Sequence, residues 1–296
     1  MHYVRAMTNI DRDALRQQLG RIGVWSSAIG QLDADDERKA VAGVERLGYR
    51  TLWLNETVKE VFAHAGLALA ASRQLVIATG IANIWMRRPE AMASGARVLA
   101  DAYPGRFVLG LGVGHPRFAP GYRQPLAAMR EYLDDVDADG PAVPRMLAAL
   151  RPKMLELAAT RSAGATPYLG TVEHTALARD VLGREPVLAP ELAVVLEPAA
   201  GRARAVARGY LQMYLELPNY TNNLRTLGFS DTDFADGGSD RLVDAIVGWG
   251  DVDAIAERVR AHFDAGADHV GIQPVAGTDR GVGLDTLAAL APALLA

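Results

Sequence analysis

The fold is indicated first by residues 22–54, which read IGVWSSAIGQLDADDERKAVAGVERLGYRTLWL. Ile22–Trp25 and Thr51–Leu54 are apolar runs of the length and composition typical of buried strands. Between them, apolar residues recur at helical spacing and Gly48 is placed to end the helix; these residues are Ala40, Val41, Val44 and Leu47. A strand, a helix and a strand in this order predict a βαβ unit with parallel strands.

The same order recurs near the C-terminus. Asp251 is placed to cap a helix, Gly266 to close it, and His269–Gln273 is predicted as the strand that follows. The helix itself is indicated by apolar residues at helical spacing, namely Val252, Ile255, Val259 and Phe263. The chain therefore begins and ends with the same kind of unit.

Further strands are predicted between these two units, at Leu75–Thr79, Phe107–Leu111, Met146–Leu150, Thr166–Leu169 and Leu192–Leu196. About eight strands alternating with helices favour one (β/α)8 TIM barrel over residues 1–296, as a single α/β domain. Two stretches rich in Pro, Gly and polar residues interrupt the alternation, Pro116–Pro144 and Leu217–Gly238. They are predicted as insertion loops at the C-terminal face, where long loops commonly form lids or pocket walls.

Composition excludes several classes of function. The 296 residues carry a formal net charge of -4 and no cysteine, so disulfides, thiolate metal sites and a cysteine nucleophile are excluded. Basic residues are scattered rather than clustered, so no nucleic-acid partner is expected. Residues 1–10 lack an apolar signal core, and charged or polar residues interrupt the longest apolar stretch, so a cytoplasmic location without membrane contact is expected. The histidines His64, His115 and His174 show no zinc-type spacing, so no metal is expected.

Residues 105–115, GRFVLGLGVGH, indicate the position of a functional site. An apolar strand leads into a turn with glycines at alternate positions and ends on the imidazole of His115. The spacing fits neither the dinucleotide fingerprint nor the nucleotide-triphosphate loop. Because glycine permits close approach of the backbone and barrels carry working residues at the carboxyl ends of strands, the turn is predicted to contact a cofactor or substrate.

The other predicted strand ends are aromatic and polar, with few charges. This composition suits a flat heteroaromatic ring held between apolar walls by a few hydrogen bonds. The predicted substrate pocket consists of Trp25, Asn55, Trp85, Tyr220 and Gln273. Structural alternatives stay open at this point: the tryptophans as packing residues, His115 as a turn histidine bonded to backbone, and Glu56 as a helix cap or ion-pair partner.

Two segments carry a resemblance to a known family. Ile77–Trp85, followed by Arg88-Pro89-Glu90 at the start of a helix, and Tyr103–His115 resemble the bacterial luciferase-like family. Within this family, the segments resemble the branch of oxidoreductases that depend on the deazaflavin coenzyme F420. The resemblance implies a (β/α)8 barrel, a small-molecule substrate and a homodimer formed through barrel helices.

The resemblance also implies a set of cofactor-binding residues. A non-prolyl cis peptide behind the coenzyme ring is expected at Gly80-Ile81, with Ala82 and Asn83 beside it. The turn Gly112, Val113 and Gly114 is expected to flank the ring. The coenzyme phosphate is expected at a helix start, where backbone N–H groups favour anions, on Gly170, Thr171, Val172 and His174.

The sequence departs from the resembled enzymes at two positions. Thr57, in Asn55-Glu56-Thr57, stands where related dehydrogenases have a histidine after the second strand, and His115 stands where the sugar-phosphate branch has a glutamate. Glu56 and His115 are therefore the catalytic candidates for proton transfer or substrate binding.

The predicted function is hydride transfer between F420 and an unknown organic substrate. One alternative is a monooxygenase that uses reduced FMN, and another is a non-catalytic protein that binds a flavin or deazaflavin. An isomerase or aldolase is disfavoured because none of the three lysines, Lys39, Lys59 and Lys153, follows a predicted strand.

Overall fold

The computed structural model describes residues 11–117, 121–138, 143–275 and 282–296, in which strands alternate with helices. The strands are β1 (Ile22–Ser26), β2 (Thr51–Leu54), β3 (Val76–Thr79), β4 (Ala82–Asn83), β5 (Phe107–Gly112), β6 (Arg145–Leu147), β7 (Gly164–Ala165), β8 (Val187–Leu188), β9 (Glu191–Leu196), β10 (Gly248–Gly250) and β11 (Val270–Pro274). The α-helices are α1 (Arg12–Leu19), α2 (Ala34–Arg46), α3 (Val61–Ala70), α4 (Pro89–Ala102), α5 (Pro125–Ala138), α6 (Pro152–Arg161), α7 (Val172–Leu182), α8 (Ala200–Tyr214), α9 (Pro218–Thr226), α10 (Asp231–Phe234), α11 (Asp240–Ile246), α12 (Val252–Asp264) and α13 (Leu284–Leu294).

The strands form one parallel sheet. Its order is β10-β9-β11-β1-β2-β3-β5-β6-β7-β8, with β4 paired to β5. The predicted βαβ unit is confirmed, because β1 and β2 pair in parallel with Val24 opposite Leu52. The C-terminal unit is confirmed as well: Asp251 caps α12 by accepting a hydrogen bond from the Ala254 N–H at 2.9 Å, and β11 follows.

A very short segment joins β8, at one end of the sheet, to β9, the second strand from the other end. Only Ala189 and Pro190 separate β8 from β9. The Ala189 N–H donates to the Ala165 carbonyl on one side at 2.9 Å, and the Gly271 N–H donates to the Pro190 carbonyl on the other at 3.0 Å. The sheet is therefore curled, and its complete closure as a (β/α)8 barrel stays a prediction.

The two stretches predicted as loops contain helices, which corrects that prediction. α5 lies within Pro116–Pro144, and α9 and α10 lie within Leu217–Gly238. Pro125 and Pro218 occupy the first positions of α5 and α9, where the missing N–H breaks no helical hydrogen bond. Proline signalled the start of a helix here rather than a loop. Residues 118–120 and 139–142 of the first stretch lie outside the described residues.

Two predicted strands also lie elsewhere than expected. The strand predicted at Met146–Leu150 is β6, Arg145–Leu147, and the one predicted at Thr166–Leu169 is β7, Gly164–Ala165. Pro167 explains the second difference, because a proline cannot donate to a strand ladder. The two-residue β8 and the three-residue β10 were not predicted.

The core has two layers. The outer layer lies between sheet and helices and includes Val24, Leu52 and Ile77. The inner layer includes the large side chains of Trp25 and Trp53 and, from α1, two leucines that pack with them; the full set is Leu15, Leu19, Trp25, Trp53, Val76, Ala78, Val108, Met146, Ala163, Val187 and Ala189. Successive side chains of a strand alternate between these layers.

Two polar side chains in the inner layer, Trp53 and His269, are hydrogen-bonded. The Trp53 indole Nε1 donates to His269 Nε2 at 3.0 Å, and His269 Nδ1 donates to the Gly20 carbonyl at 2.7 Å. Burial lowers the pKa of His269 to about 4, so the ring is neutral at neutral pH. Across the described ranges, every helix is too short or too polar to cross a membrane. Residues 1–10, where no signal segment is expected, lie outside those ranges.

Candidate active site

The carboxyl ends of β1 and β3 meet at a tightly packed contact. The peptide bond between Gly80 and Ile81 is cis, as the resemblance implies. A Cβ on Gly80 would lie 2.7 Å from Nε1 of Trp25. Because that distance is shorter than any real contact, only glycine lets the indole lie against this backbone. Trp25 itself is buried, with its ring centroid 4.8 Å from that of Tyr168.

The glycines of β5 and its turn pack against β3 and β4. A Cβ on Gly110 would lie 1.9 Å from the Thr79 carbonyl oxygen, and one on Gly112 would lie 2.6 Å from Cγ1 of Ile81. Gly114 has φ +56° and faces the Asn83 amide. The alternate glycines are therefore explained by the close approach of neighbouring strands. Contact of Gly112, Val113 and Gly114 with a cofactor stays a prediction.

Glu56 lies in a buried ion pair. Its carboxylate accepts hydrogen bonds from the Arg87 guanidinium and from the Asn83 N–H, the latter at 2.8 Å. The side chains of Glu56 and Arg87 are only 5% and 11% exposed. Arg87 also contacts Glu60 at 3.2 Å. Both carboxylate oxygens are thus engaged in holding β4 and the following turn, which favours the ion-pair interpretation of Glu56 over proton transfer.

His115 and Tyr220 lie side by side, although they are far apart in sequence. His115 Nδ1 lies 2.9 Å from Oδ1 of Asn219 and donates to it, because an amide oxygen only accepts. The centroids of the His115 and Tyr220 rings are 5.1 Å apart. Asn219 and Tyr220 belong to α9, so the segment predicted as a pocket wall does reach the glycine turn. Burial lowers the pKa of His115, which favours the neutral ring.

Trp85 is fixed against the same turn. Its indole Nε1 donates to the Val113 carbonyl at 2.8 Å, and its backbone N–H donates to Oδ1 of Asn83 at 3.1 Å. Its ring also contacts Tyr122, at a centroid distance of 5.9 Å. Trp85 is half-buried, so part of its surface is available at the rim.

Tyr168 is the centre of a hydrogen-bonded cluster that the sequence did not reveal. Its hydroxyl lies 2.8 Å from that of Tyr210 and 3.0 Å from that of Tyr214, and it donates to Oε1 of Gln273 at 3.0 Å. Gln273, predicted in the pocket, is thereby joined to α8. One signal was available: Tyr210 and Tyr214 are four residues apart, which places them on one face of a helix.

Glu191 lies beneath this cluster. It stands two residues after Ala189 and so on the inner side of the sheet, and it is 2% exposed. Its Oε2 accepts a hydrogen bond from the Leu169 N–H at 3.1 Å. Burial raises the pKa of this carboxyl to about 8. The strand was predicted to begin at Leu192, so Glu191 was missed.

The comparison with known families decides what this arrangement resembles. Residues 18–138 match the family described as luciferase-like monooxygenase. The matched region contains β1 to β5, the cis peptide and the glycine turn. The resemblance inferred from the sequence is confirmed for this part of the chain. A search of curated protein sequences found no match.

Solved structures share this fold over most of the chain. An F420-dependent secondary alcohol dehydrogenase in complex with an F420-acetone adduct is 15% identical, with a TM-score of 0.73 and coverage of 93% of this chain and 98% of the other. The F420-dependent tetrahydromethanopterin reductase from Methanopyrus kandleri is 14% identical, with a TM-score of 0.72 and the same coverage. The oxygenating constituent of 3,6-diketocamphane monooxygenase from Pseudomonas putida, in complex with FMN, is 14% identical, with a TM-score of 0.66 and coverage of 92% and 96%.

The stretch expected to bind phosphate is largely buried. Thr171 caps α7, and its hydroxyl oxygen accepts a hydrogen bond from the His174 N–H at 3.2 Å. His174 Nε2 donates to the Leu150 carbonyl at 2.7 Å. The hydroxyl of Thr171 also lowers the pKa of Glu173, so this helix start already holds a carboxylate. Phosphate contact with Gly170, Thr171, Val172 and His174 stays a prediction.

Asn55 lies apart from the tyrosine cluster. Its buried Oδ1 makes no hydrogen bond to any described residue. A Cβ on Gly30 would lie 3.9 Å from that oxygen and 3.6 Å from the ring of His64. Asn55 therefore faces α3 and the turn after β1, and its place in the substrate pocket stays a prediction.

Proposed function

We propose that this luciferase-like protein is an oxidoreductase that transfers a hydride between F420 and an organic substrate at the carboxyl ends of β1, β3, β5 and β11. The proposal rests on one observation: the rings of Trp25, Tyr168 and Tyr220 pack together at the ends of these strands, with centroids 4.8 Å apart for Trp25 and Tyr168 and 6.2 Å apart for Tyr168 and Tyr220. Burial favours the uncharged forms of the ionisable groups on this side of the site, which are Tyr168, Tyr220, His115 and Glu191.

Each of these groups is neutral for a physical reason. Burial lowers the pKa of His115 and raises the pKa values of Tyr168 and Tyr220. It also raises the pKa of Glu191 to about 8. An uncharged, aromatic lining suits a flat redox ring, and exclusion of water limits loss of a transferred hydride to solvent.

The residues present fit the ring of such a coenzyme. Trp25, Trp85 and Tyr168 supply aromatic walls, and the buried Oε1 of Glu191 makes no hydrogen bond to any described residue, so the lining retains polar capacity. Gly80, Ile81, Ala82 and Asn83 would support the ring, and Gly112, Val113 and Gly114 would flank it. When bound, a deazaflavin would supply or accept two electrons and a proton together as a hydride.

The protein's own part is orientation and proton management. With Nδ1 donating to Asn219, neutral His115 is held in one orientation beside the glycine turn, where an imidazole is suited to exchange a proton or a hydrogen bond with substrate. Trp85 fixes the turn on which His115 stands. Glu56 positions β4 through Arg87 rather than acting on the substrate.

A reduced-FMN monooxygenase is the second candidate, favoured by the family description and by the FMN bound in one similar structure. F420 is preferred because two similar structures, with TM-scores of 0.73 and 0.72, are those of F420-dependent enzymes, whereas the structure with bound FMN has a TM-score of 0.66. The homodimer and the cytoplasmic location expected from the sequence stay predictions.

Titration of the purified protein with F420 and with FMN, followed by tryptophan emission, tests the proposal. F420 is expected to quench the emission, with less quenching in Trp85→Phe and unchanged quenching in Trp249→Phe, the control on β10. Tight binding of FMN alone would support the monooxygenase instead. Absence of quenching by both would contradict the proposal, and binding without turnover on any substrate would favour a non-catalytic protein.

A further inference from the structure

We propose that the side-chain amide of Gln273 donates a hydrogen bond to the substrate, and that Tyr168 is the positioning residue that orients this amide. The inference deepens the proposed function and rests on it, because it assigns the substrate to the aldehydes and ketones. It is carried by a side chain that is only 6% exposed and whose N–H2 group makes no hydrogen bond to a described residue.

The Gln273 amide is oriented through its oxygen. Oε1 lies 3.0 Å from the Tyr168 hydroxyl and accepts the hydrogen of that group. An amide oxygen only accepts hydrogen bonds, and an amide nitrogen only donates them. Because Tyr168 holds Oε1, the two hydrogens on Nε2 are directed away from the Tyr168 hydroxyl and remain for a ligand.

The Tyr168 hydroxyl is itself fixed by two neighbours. It lies 2.8 Å from the hydroxyl of Tyr210 and 3.0 Å from that of Tyr214. Because its own hydrogen is directed to Gln273, its oxygen accepts the hydrogens of both. Tyr210 and Tyr214 are four residues apart on one face of α8, so a helix rather than a loop holds the hydroxyl that orients the amide.

The backbone next to Tyr168 is held as well. Leu169 has φ +59°, a left-handed conformation that residues other than glycine seldom adopt. In this conformation its N–H donates to Oε2 of the buried Glu191 at 3.1 Å. Such a conformation persists only where surrounding contacts hold it. Glu191 therefore fixes the main chain from which the Tyr168 side chain extends.

Gln273 lies where the substrate, rather than the coenzyme ring, is expected. The ring is proposed to lie against β3, β4 and β5, and in the sheet β1 and β2 separate β3 from β11. Tyr168, which holds the amide, packs against Trp25 and contacts Tyr220, with centroids 4.8 Å and 6.2 Å apart. Tyr220 in turn contacts His115 at 5.1 Å. One continuous group of rings therefore connects the amide donor to the histidine suited to proton exchange.

A buried donor without a partner selects a ligand that has an acceptor. As a hydride adds to a carbonyl carbon, the π electron pair moves to the oxygen, and a proton from water completes the alcohol. The oxygen gains negative charge in this step, so a fixed N–H donor stabilises the transition state more than the free substrate. A hydrocarbon of the same shape leaves the amide unpaired and is disfavoured. Aldehydes and ketones are therefore the substrates that use this amide.

The matched variants are Gln273→Met and Gln212→Met. The first keeps the length of the side chain and removes the amide. The second makes the same replacement at an exposed position of α8 whose side chain makes no hydrogen bond to a described residue. Tyr168→Phe is the third variant, because it keeps the ring and removes only the hydroxyl that orients the amide. Circular dichroism establishes that all three are folded.

The first measurement needs no coenzyme. Glutamine side chains are labelled with ¹⁵N, and the N–H2 resonances of Gln273 are identified by their absence from Gln273→Met. Cyclohexanone and benzaldehyde are expected to move these resonances downfield. Methylenecyclohexane, which has the shape of cyclohexanone without its oxygen, is expected to leave them in place. The shift should be smaller in Tyr168→Phe and unchanged in Gln212→Met. Resonances that respond equally to the ketone and the hydrocarbon, or to neither, would overturn the inference.

The second measurement is single-turnover oxidation of reduced F420 by the same two carbonyl compounds. Gln273→Met is expected to slow the chemical step about 100-fold, the loss typical of one removed oxyanion donor. Tyr168→Phe is expected to slow it about 10-fold, because the amide is present but no longer held, and to add no further loss in the Gln273→Met background. Gln212→Met is expected to match the wild type.

The outcomes separate this inference from the proposed function. If F420 does not bind while cyclohexanone still moves the Gln273 resonances, the proposed function is overturned and the carbonyl-binding amide stands. If F420 binds and the chemical step is as fast in Gln273→Met as in the wild type, the inference is overturned and the proposed function stands. Bound, reduced F420 that neither compound oxidises would overturn the assignment of the substrate class.

Discussion

Replacing Glu56 by glutamine separates a structural role from a catalytic one. The substitution keeps the shape of the side chain and an oxygen that accepts from the Asn83 N–H, but it removes the charge opposite Arg87. Breaking one partner of a buried pair costs about 3–5 kcal/mol. Because Arg87 is 11% exposed and keeps Glu60 at 3.2 Å, the lower end, about 3 kcal/mol, is expected here.

Urea unfolding followed by circular dichroism measures this loss. A double-mutant cycle combines Glu56→Gln with Arg87→Met. The double variant is expected to be at least about 1 kcal/mol more stable than the summed destabilisation of the two single variants predicts, because it leaves no buried charge without its partner. Glu90→Gln is the control: Glu90 pairs with Arg88 at the surface, so no measurable change in the free energy of unfolding is expected.

The same variants decide the functional question. If Glu56 only positions β4, the Glu56→Gln variant retains hydride transfer under conditions in which it is folded. Its main defect is then a weaker affinity for the coenzyme. A stability equal to that of the wild type, together with loss of the chemical step, would refute the structural interpretation and return Glu56 to the catalytic candidates.

Three further predictions concern stability. Gly110→Ala places a Cβ 1.9 Å from the Thr79 carbonyl oxygen and is expected to abolish folding. Gly209→Ala on α8 is the control, because its Cβ meets nothing within 4 Å. It is expected to raise the free energy of unfolding, measured by urea denaturation, by about 0.5–1 kcal/mol. Burial lowers the pKa values of His262 and His269 from 6.5 to about 4. Because the unfolded chain then binds more protons, the free energy of unfolding should fall as pH drops from 6.5 to 4. A free energy of unfolding that does not change over this range would contradict the prediction. Glu191 has the opposite effect, because its pKa is raised from 4.5 to about 8. Its contribution to the free energy of unfolding is present below pH 4.5 and is lost as pH rises through 8, so the free energy of unfolding of Glu191→Gln should rise relative to that of the wild type by on the order of 4 kcal/mol over this range. A difference between the two proteins that stays constant with pH would argue against a buried acid.

Sequence periodicity predicted the fold where strands are long and buried. β1, β2, β5, β9 and β11 were predicted within one residue at each end, because four to six apolar residues bounded by turn signals leave little ambiguity. Strands of two or three residues, such as β7, β8 and β10, contain no period to detect. Their positions are set by pairing with neighbours that are distant in sequence.

The candidate site was predictable at strand ends and not beyond them. His115, Trp25 and Gln273 follow from the rule that working residues stand at the carboxyl ends of parallel strands. Whether Glu56 acts on substrate or pairs with a cation depends on Arg87, 31 residues away, and no local pattern encodes that contact. Glu191 is the first residue of the otherwise apolar β9, and only tertiary packing shows that its carboxyl is buried.

A crystal structure of the protein grown with F420 tests the central claim most directly. The account predicts the deazaflavin ring between Trp25 and the turn at residues 112–115, with the bound substrate or its analogue beside it. A ring bound elsewhere on the surface, or density that leaves Trp25, Tyr168 and Tyr220 packed together with the coenzyme absent, would contradict it.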